Sequence, residues 1–140
     1  MRRCSILLAM WAAALAAADS KQQVFDLFSR IASELSAGDA TAFLDAVDRD
    51  MPQFEEFRKD VAALAEQDDV ANSLEFVSDE GDDHQRVEEV DWYMQIVGRS
   101  ESRPVEDRRG VVKFKLERRG KKWKVVSIDP LHFFAPPKGG

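Results

Sequence analysis

Only a handful of side chains in this sequence are equipped for catalysis or metal binding. Histidine occurs at 84 and 132 alone, in separate irregular segments. Zinc sites and imidazole acid–base pairs need partners at short, regular spacing, which neither has, so no metal ligand is assigned. Asp79, Glu80, Asp82 and Asp83 make an acidic turn that would attract calcium, but their spacing does not fit a helix–loop–helix calcium site. Charged turns are common, and no cofactor is expected. No serine-nucleophile elbow, phosphate loop or dinucleotide fingerprint is present. Asp91 and Tyr93 would make an acid–base pair if both faced an enclosed pocket. Which way they face is a question of strand parity.

The basic stretch GVVKFKLERRGKKWKVVSIDP, residues 110–130, raises a different possibility. Arg108, Arg109, Lys113, Lys115, Arg118, Arg119, Lys121, Lys122 and Lys124 concentrate positive charge in an otherwise acidic chain of net charge −6. Residues 66–91 answer it with eleven acids against the single Arg86. A polyanion approaching the basic strands would meet that acidic neighbour, and Tyr93 is the one outward aromatic available for stacking on bases. The solvated face of a hairpin is therefore preferred, and no nucleic-acid partner is expected.

The elements are set by periodicity. The N-terminus, MRRCSILLAMWAAALAAADSKQ, has two arginines, an uncharged run from Cys4 to Ala18, and small residues before Asp19. That order is a secretory signal peptide, and the run falls short of the roughly 20 residues needed to span a bilayer. Cleavage is expected after Ala18, or alternatively after Ala16, giving a secreted or periplasmic protein with no stable membrane anchor. Cys4 leaves with the signal, so the remaining chain must rely on its core without disulfides.

Val24, Leu27, Phe28, Ile31 and Leu35 fall on one helical face. Gly38 is placed to close that helix and Asp39 to cap a short second one carrying Phe43, Leu44 and Val47. Asp50 and Pro52 mark the start of a third, with Phe54, Phe57, Val61 and Leu64 at spacings of three and four. Beyond Gln67 the period becomes two: LEFVS, VDWYMQIVG, GVVKFKLER and KWKVVSID read as antiparallel strands. Residues 131–140 form a Pro- and Gly-rich irregular tail whose Phe133 and Phe134 can dock on the body.

A turn at Arg119–Gly120 would pair Leu116 with Trp123 and Phe114 with Val125. Continuing across the sheet, Trp92 would face Phe114, Val90 face Leu116 and Met94 face Val112. One face then carries Val90, Trp92, Met94, Val112, Phe114, Leu116, Trp123 and Val125, none of which ionises. The other carries Lys113, Lys115 and Lys124 against Glu89 and Asp91, with Asp91 across from Lys115. Asp91 and Tyr93 thus point away from the helices, and no catalytic residue is assigned. A shift of one residue would reverse this only by exposing Trp92, Met94 and Phe114. On the outer face, Tyr93, Val97, Val111, Val126 and Ile128 form an apolar patch suited to a homodimer, unless the Phe133–Phe134 segment folds over it.

Three helices and a curved four-stranded antiparallel sheet, with the closing strand GKKWKVVSIDP and a first helix ended by Ser-Ala-Gly-Asp, make an α+β chain that resembles the nuclear transport factor 2-like superfamily over residues 22–130. The resemblance implies a cone-shaped domain over residues 19–130, with a pocket between helices and sheet. Phe28, Phe57, Trp92, Met94, Phe114 and Trp123 are its expected lining, for a small apolar ligand. With no ionisable group expected there, a non-catalytic domain binding a small ligand or a protein is favoured. A small lyase, isomerase or hydrolase of the ketosteroid-isomerase type stays open as the alternative.

Overall fold

The computed structural model describes the backbone of residues 2–100 and 105–138, and the side chains of 19–100 and 105–138. The expected export signal and its cleavage site thus fall largely outside the described side chains, as does the middle of the connection at 101–104. Helix α1 (Arg2–Ser36) is followed by α2 (Ala40–Asp45) and α3 (Phe54–Gln67). Strands β1 (Asp68–Gly81), β2 (Gln85–Gly98), β3 (Val105–Arg119) and β4 (Lys122–Asp129) come next, and one turn of 3-10 helix (Leu131–Phe134) ends the fold. Among the described residues no helix is long and apolar enough to cross a membrane.

The helix boundaries have local causes. Gly38 adopts φ +76°, a left-handed conformation that a side chain would strain, and so ends α1. The Asp39 carboxylate then accepts the Ala42 amide proton at 3.0 Å and caps α2. Before α3, the Asp48 carboxylate accepts from the Asp50 amide at 2.8 Å, bracing the turn that leads into Pro52. The apolar stripes bury Phe28, Ile31, Leu35, Phe43, Phe57, Val61 and Leu64.

The sheet is an antiparallel meander, β1-β2-β3-β4. Every residue expected on its inner face is buried: Val90, Trp92, Met94, Val112, Phe114, Leu116, Trp123 and Val125 are at most 5% exposed. Parity is as read from the sequence, but the pairings are not. Val90 lies opposite Val112, Trp92 opposite Gly110 and Met94 opposite Arg108. The slip is of four residues, because β3 begins at Val105 and the connection to it is short; an even slip leaves every side chain on its own face. Asp91 consequently lies opposite Val111 rather than Lys115.

At the last hairpin the turn is Gly120–Lys121, not Arg119–Gly120, and Arg118 faces Trp123. A bulge leaves Val126 unpaired between the Leu116–Val125 and Lys115–Ser127 pairs, reversing parity over the rest of β4. Ile128, expected on the outer patch, is instead 6% exposed and opposite Phe114. The edge of β4 is covered locally: the Val125 amide donates to the Ala46 carbonyl, and the Asp48 amide to the Val125 carbonyl, each at 2.8 Å.

Candidate functional site

The space between helices and sheet is filled by rings. Phe28 of α1 and Trp92 of β2 flank Phe114 of β3, with centroids 4.9 and 5.9 Å away. Phe134, from the C-terminal turn, enters among Trp92 (5.0 Å), Phe43 (5.5 Å) and Phe57 (6.0 Å). These separations are those of favourable offset and edge-to-face contacts. The Trp92 indole N–H donates to Asn72 Oδ1 at 2.8 Å. The Asn72 amide in turn donates to the Ala32 carbonyl at 3.0 Å and to Ser36 Oγ at 2.8 Å, so one polar side chain ties sheet to α1 and leaves the tryptophan satisfied.

Of the six expected lining residues, Phe28, Phe57, Trp92, Met94 and Phe114 lie in this packed interior, at most 1% exposed. Trp123 sits apart. Its indole donates to Gln23 Oε1 at 3.1 Å, and it lines a cleft of about 320 Å³ with Leu27, Arg30 and Lys122.

The inner face does contain ionisable groups. Continuing the parity of Val90 back along β2 brings Glu88 and then Arg86 to the same side, 0% and 6% exposed. Glu88 lies directly across from Asp79 of β1 in the strand register. The Arg86 guanidinium donates to Asp79 Oδ1 from Nη2 at 2.6 Å, and its Nε is 3.4 Å from Glu88 Oε1. Glu88 Oε2 has no hydrogen-bond partner among the described residues. Lys21 lies 3.6 Å from Asp79, and Ser20 Oγ donates to Asp83 Oδ1 at 3.2 Å, so α1 at Ser20–Lys21 closes over the group.

Burial, then the hydrogen-bonded and negatively charged Asp79, push the Glu88 carboxyl up to about 8; Arg86 pulls only partly the other way. Burial also works against ionising Asp79, but the hydrogen bonds from Glu88 and Arg86 outweigh it and hold that carboxyl below its ordinary range. Near neutral pH the pair therefore carries one proton, on Glu88, and one negative charge, on Asp79, facing Arg86. Such a pair can give or take a proton. The signal for Glu88 is present in the sequence: the alternation that selects Val90 and Trp92 extends two and four residues further back, beyond the expected start of the strand.

A third region lies outside the cone. A cleft of about 990 Å³ opens between α2, α3 and the β3–β4 hairpin. Its apolar floor includes Leu44, Val47, Phe54 and Ala62, and its rim includes Arg49, Arg58, Arg119 and Lys124. Arg58 is paired with Glu55 at 2.9 Å and Arg119 with Asp48 at 3.0 Å, while Lys124 donates to the Asp45 carbonyl. Among the described residues Arg49 is the rim cation without such a partner. Arg119 holds the Asp48 carboxyl below its ordinary value together with the Asp50 amide, whose hydrogen bond is the larger influence.

Outside the sheet, Tyr93, Val97 and Val111 are 36%, 38% and 50% exposed. Arg109 bridges to Asp91 at 2.8 Å and the Tyr93 hydroxyl donates to Asp107 at 2.9 Å. The C-terminal turn packs into the interior and not over this patch. No group of three or more His, Cys, Asp or Glu among the described residues is placed to hold a metal ion.

No family model matches the chain, and no curated protein does. Solved structures do resemble it. A conserved protein from Planctomyces limnophilus superposes with a TM-score of 0.69 at 12% identity, over 77% of this chain and 91% of that one. A protein from Novosphingobium aromaticivorans named for scytalone dehydratase gives 0.69 at 9% identity, over 79% and 85%. A nuclear transport factor 2-like superfamily protein from Salmonella enterica gives 0.62 at 13% identity, over 88% and 95%. With three helices ahead of a four-stranded antiparallel sheet that closes on them, this chain has the nuclear transport factor 2-like fold.

Proposed function

We propose that the chain is a non-catalytic binding domain, exported from the cytoplasm, whose ligand is a small amphipathic anion held in the cleft between α2, α3 and the β3–β4 hairpin. One observation carries this reading: the interior is packed with the protein's own rings, whereas the outer cleft, at about 990 Å³, has the size of a small-molecule site. Leu44, Val47 and Phe54 would take the apolar body and Arg49 the charged end. Titrating the isotope-labelled protein with decanoate, which has no ring, should shift the amide resonances of Leu44, Arg49, Phe54 and Arg58 in a saturable way. Arg49→Glu should weaken the effect by about tenfold, the loss of roughly one charge-assisted contact. Saturable shifts confined to other regions, or none at millimolar ligand, would refute the assignment. The patch at Tyr93, Val97 and Val111 suits a homodimer, and a monomer mass by light scattering at micromolar concentration would dismiss it.

A second reading, an isomerase, lyase or hydrolase, is favoured by Glu88, whose carboxyl is pushed up to about 8, the range of a general acid near neutral pH. Glu88 lines neither the α2–α3 cleft, nor the cleft at Trp123, nor the groove beside Tyr93. That reading therefore also requires the ring packing to part.

A further inference from the structure

We propose that the smaller cleft, at Trp123, is a binding site for a small phosphate monoester, separate from the α2–α3 cleft and independent of any ligand there. Three segments distant in sequence build it. Gln23, Leu27 and Arg30 follow one another on α1 at spacings of four and three, so they share one face of that helix. The Gly120–Lys121 turn presents Lys121 and, at the start of β4, Lys122; Gly120 takes φ +64°, a left-handed conformation that glycine adopts without strain. The end of α2 supplies the third side at Asp45 and Ala46, and the hydrogen bond from the Val125 amide to the Ala46 carbonyl holds it against β4. The cleft encloses about 320 Å³, at the lower end of the range for small-molecule sites.

Its walls are rich in donors. The Trp123 indole N–H can only donate, so its hydrogen bond to Gln23 Oε1 at 3.1 Å fixes which way the Gln23 amide lies and leaves the amide NH₂ without an acceptor among the described residues. Arg30 lies 3.5 Å from Glu34, and Lys124 donates to the Asp45 carbonyl. Lys121 and Lys122 have no ion pair among the described residues. Asp26 and Asp45 are the carboxylates of the lining, and Asp26 accepts from Gln22 Nε2 at 2.9 Å. Arg30, Lys121, Lys122 and Lys124 thus outnumber them by two.

The acidic stretch that was expected to answer the basic hairpin is engaged elsewhere: Asp69 with Arg99, Asp79 with Arg86 and Asp91 with Arg109. The tip of the β3–β4 hairpin therefore keeps its charge. A phosphate monoester carries about −1.5 to −2 at pH 7 and three acceptor oxygens, which matches both the surplus of charge and the set of donors. Leu27 and the Trp123 ring give the ester group an apolar wall, which selects an ester over the free ion.

Titration of the isotope-labelled full chain with butyl phosphate tests the site. The Gln23 side-chain amide, the Trp123 indole N–H and the Ala46 and Lys122 amides should shift together and saturate. Butane-1-sulfonate, similar in shape with a single negative charge, should bind about tenfold more weakly, and inorganic phosphate should also bind more weakly. Lys122→Glu should weaken butyl phosphate by at least about tenfold, whereas Lys113→Glu, the same change of charge on the outer face of β3, should weaken it by less than about twofold. Equal weakening by the two variants would reduce the effect to general attraction and overturn the proposal. Equal affinity for the sulfonate or for inorganic phosphate would overturn it too. So would shifts confined to Leu44, Arg49 and Phe54, which would put the phosphate in the α2–α3 cleft, or no saturable shift at millimolar ligand.

Discussion

At the tail end of the cone, Phe43, Phe57, Trp92 and Phe134 exclude water with rings whose polar atoms are few and already satisfied. At the hairpin end, Arg86 and Glu88 are equally hidden and the Asp79 side chain is 12% exposed, yet three ionisable groups share the space and one carboxylate oxygen has no partner among the described residues. The first arrangement draws its stability from area and shape. The second draws it from a balance of charge, and a buried ion pair rarely improves on an apolar filling of the same volume. Where a fold keeps such a group in its interior, stability becomes sensitive to pH at that end alone.

The comparison is broken most forcefully at the tail end. Phe57→Ala removes a fully buried ring that meets Phe43 at 6.3 Å and Phe134 at 6.0 Å. Chemical denaturation should show a loss of about 3–5 kcal/mol, the range for large-to-alanine changes that leave a cavity. The loss should be the same at pH 6 and pH 9, since the rings that Phe57 meets do not ionise. A pH-dependent loss would mean that the two ends are coupled.

The hairpin end should respond to pH and little to shape. Glu88 is raised in the folded protein from an ordinary value of 4.5 to about 8. Its protonated form is thus favoured by folding, and the stability it contributes is fully present below the unfolded value and lost as pH rises through about 8. Asp79 works in the opposite sense: held low, it contributes above its unfolded value and loses that contribution only in acid. Between pH 5 and 8 the stability of the parent should therefore fall, by at most about 1.4 kcal/mol per pH unit for one proton. Glu88→Gln, which imitates the neutral carboxyl, should change little at pH 5 and remove the slope. A slope that survives the substitution would assign it to another group.

How much of this is legible in the sequence depends on the kind of signal. Trp92 and Phe114 read as interior because period-two alternation is local and survives any even slip of register. The slip itself is not readable: it depends on where β3 begins, and SESRPVED carries turn residues without fixing how many stay in the loop. Val126 is also silent, because a bulge there is set by pairing between strands and not by the alternation of β4 alone; Ile128 is misplaced for that reason. Glu88 escapes a reading that stops its parity at Val90. Phe134 is expected to dock, but nothing in PLHFFAPP says that one ring would pass among residues from α2, α3 and β2. The outer cleft draws Asp39, Phe54 and Arg119 from three distant segments, so no stretch of sequence announces it.

The smallest effect belongs to the outer face of the same strands, and it sharpens the contrast with Glu88. Asp91 is held below its ordinary value, first by its hydrogen bond from Arg109 and then by that residue's charge. The pair is well formed, with Nη2 to Oδ2 at 2.8 Å, but the Arg109 side chain is 67% exposed. Water and salt screen such a pair, and ordering two long side chains offsets much of the attraction. Arg109→Ala should leave the denaturation midpoint unresolved from that of the parent, in low or high salt. A clear, salt-sensitive loss would indicate that this face is covered in solution, as it would be at the centre of a dimer, where the same ion pair would be removed from water and its rupture would leave Asp91 unpaired.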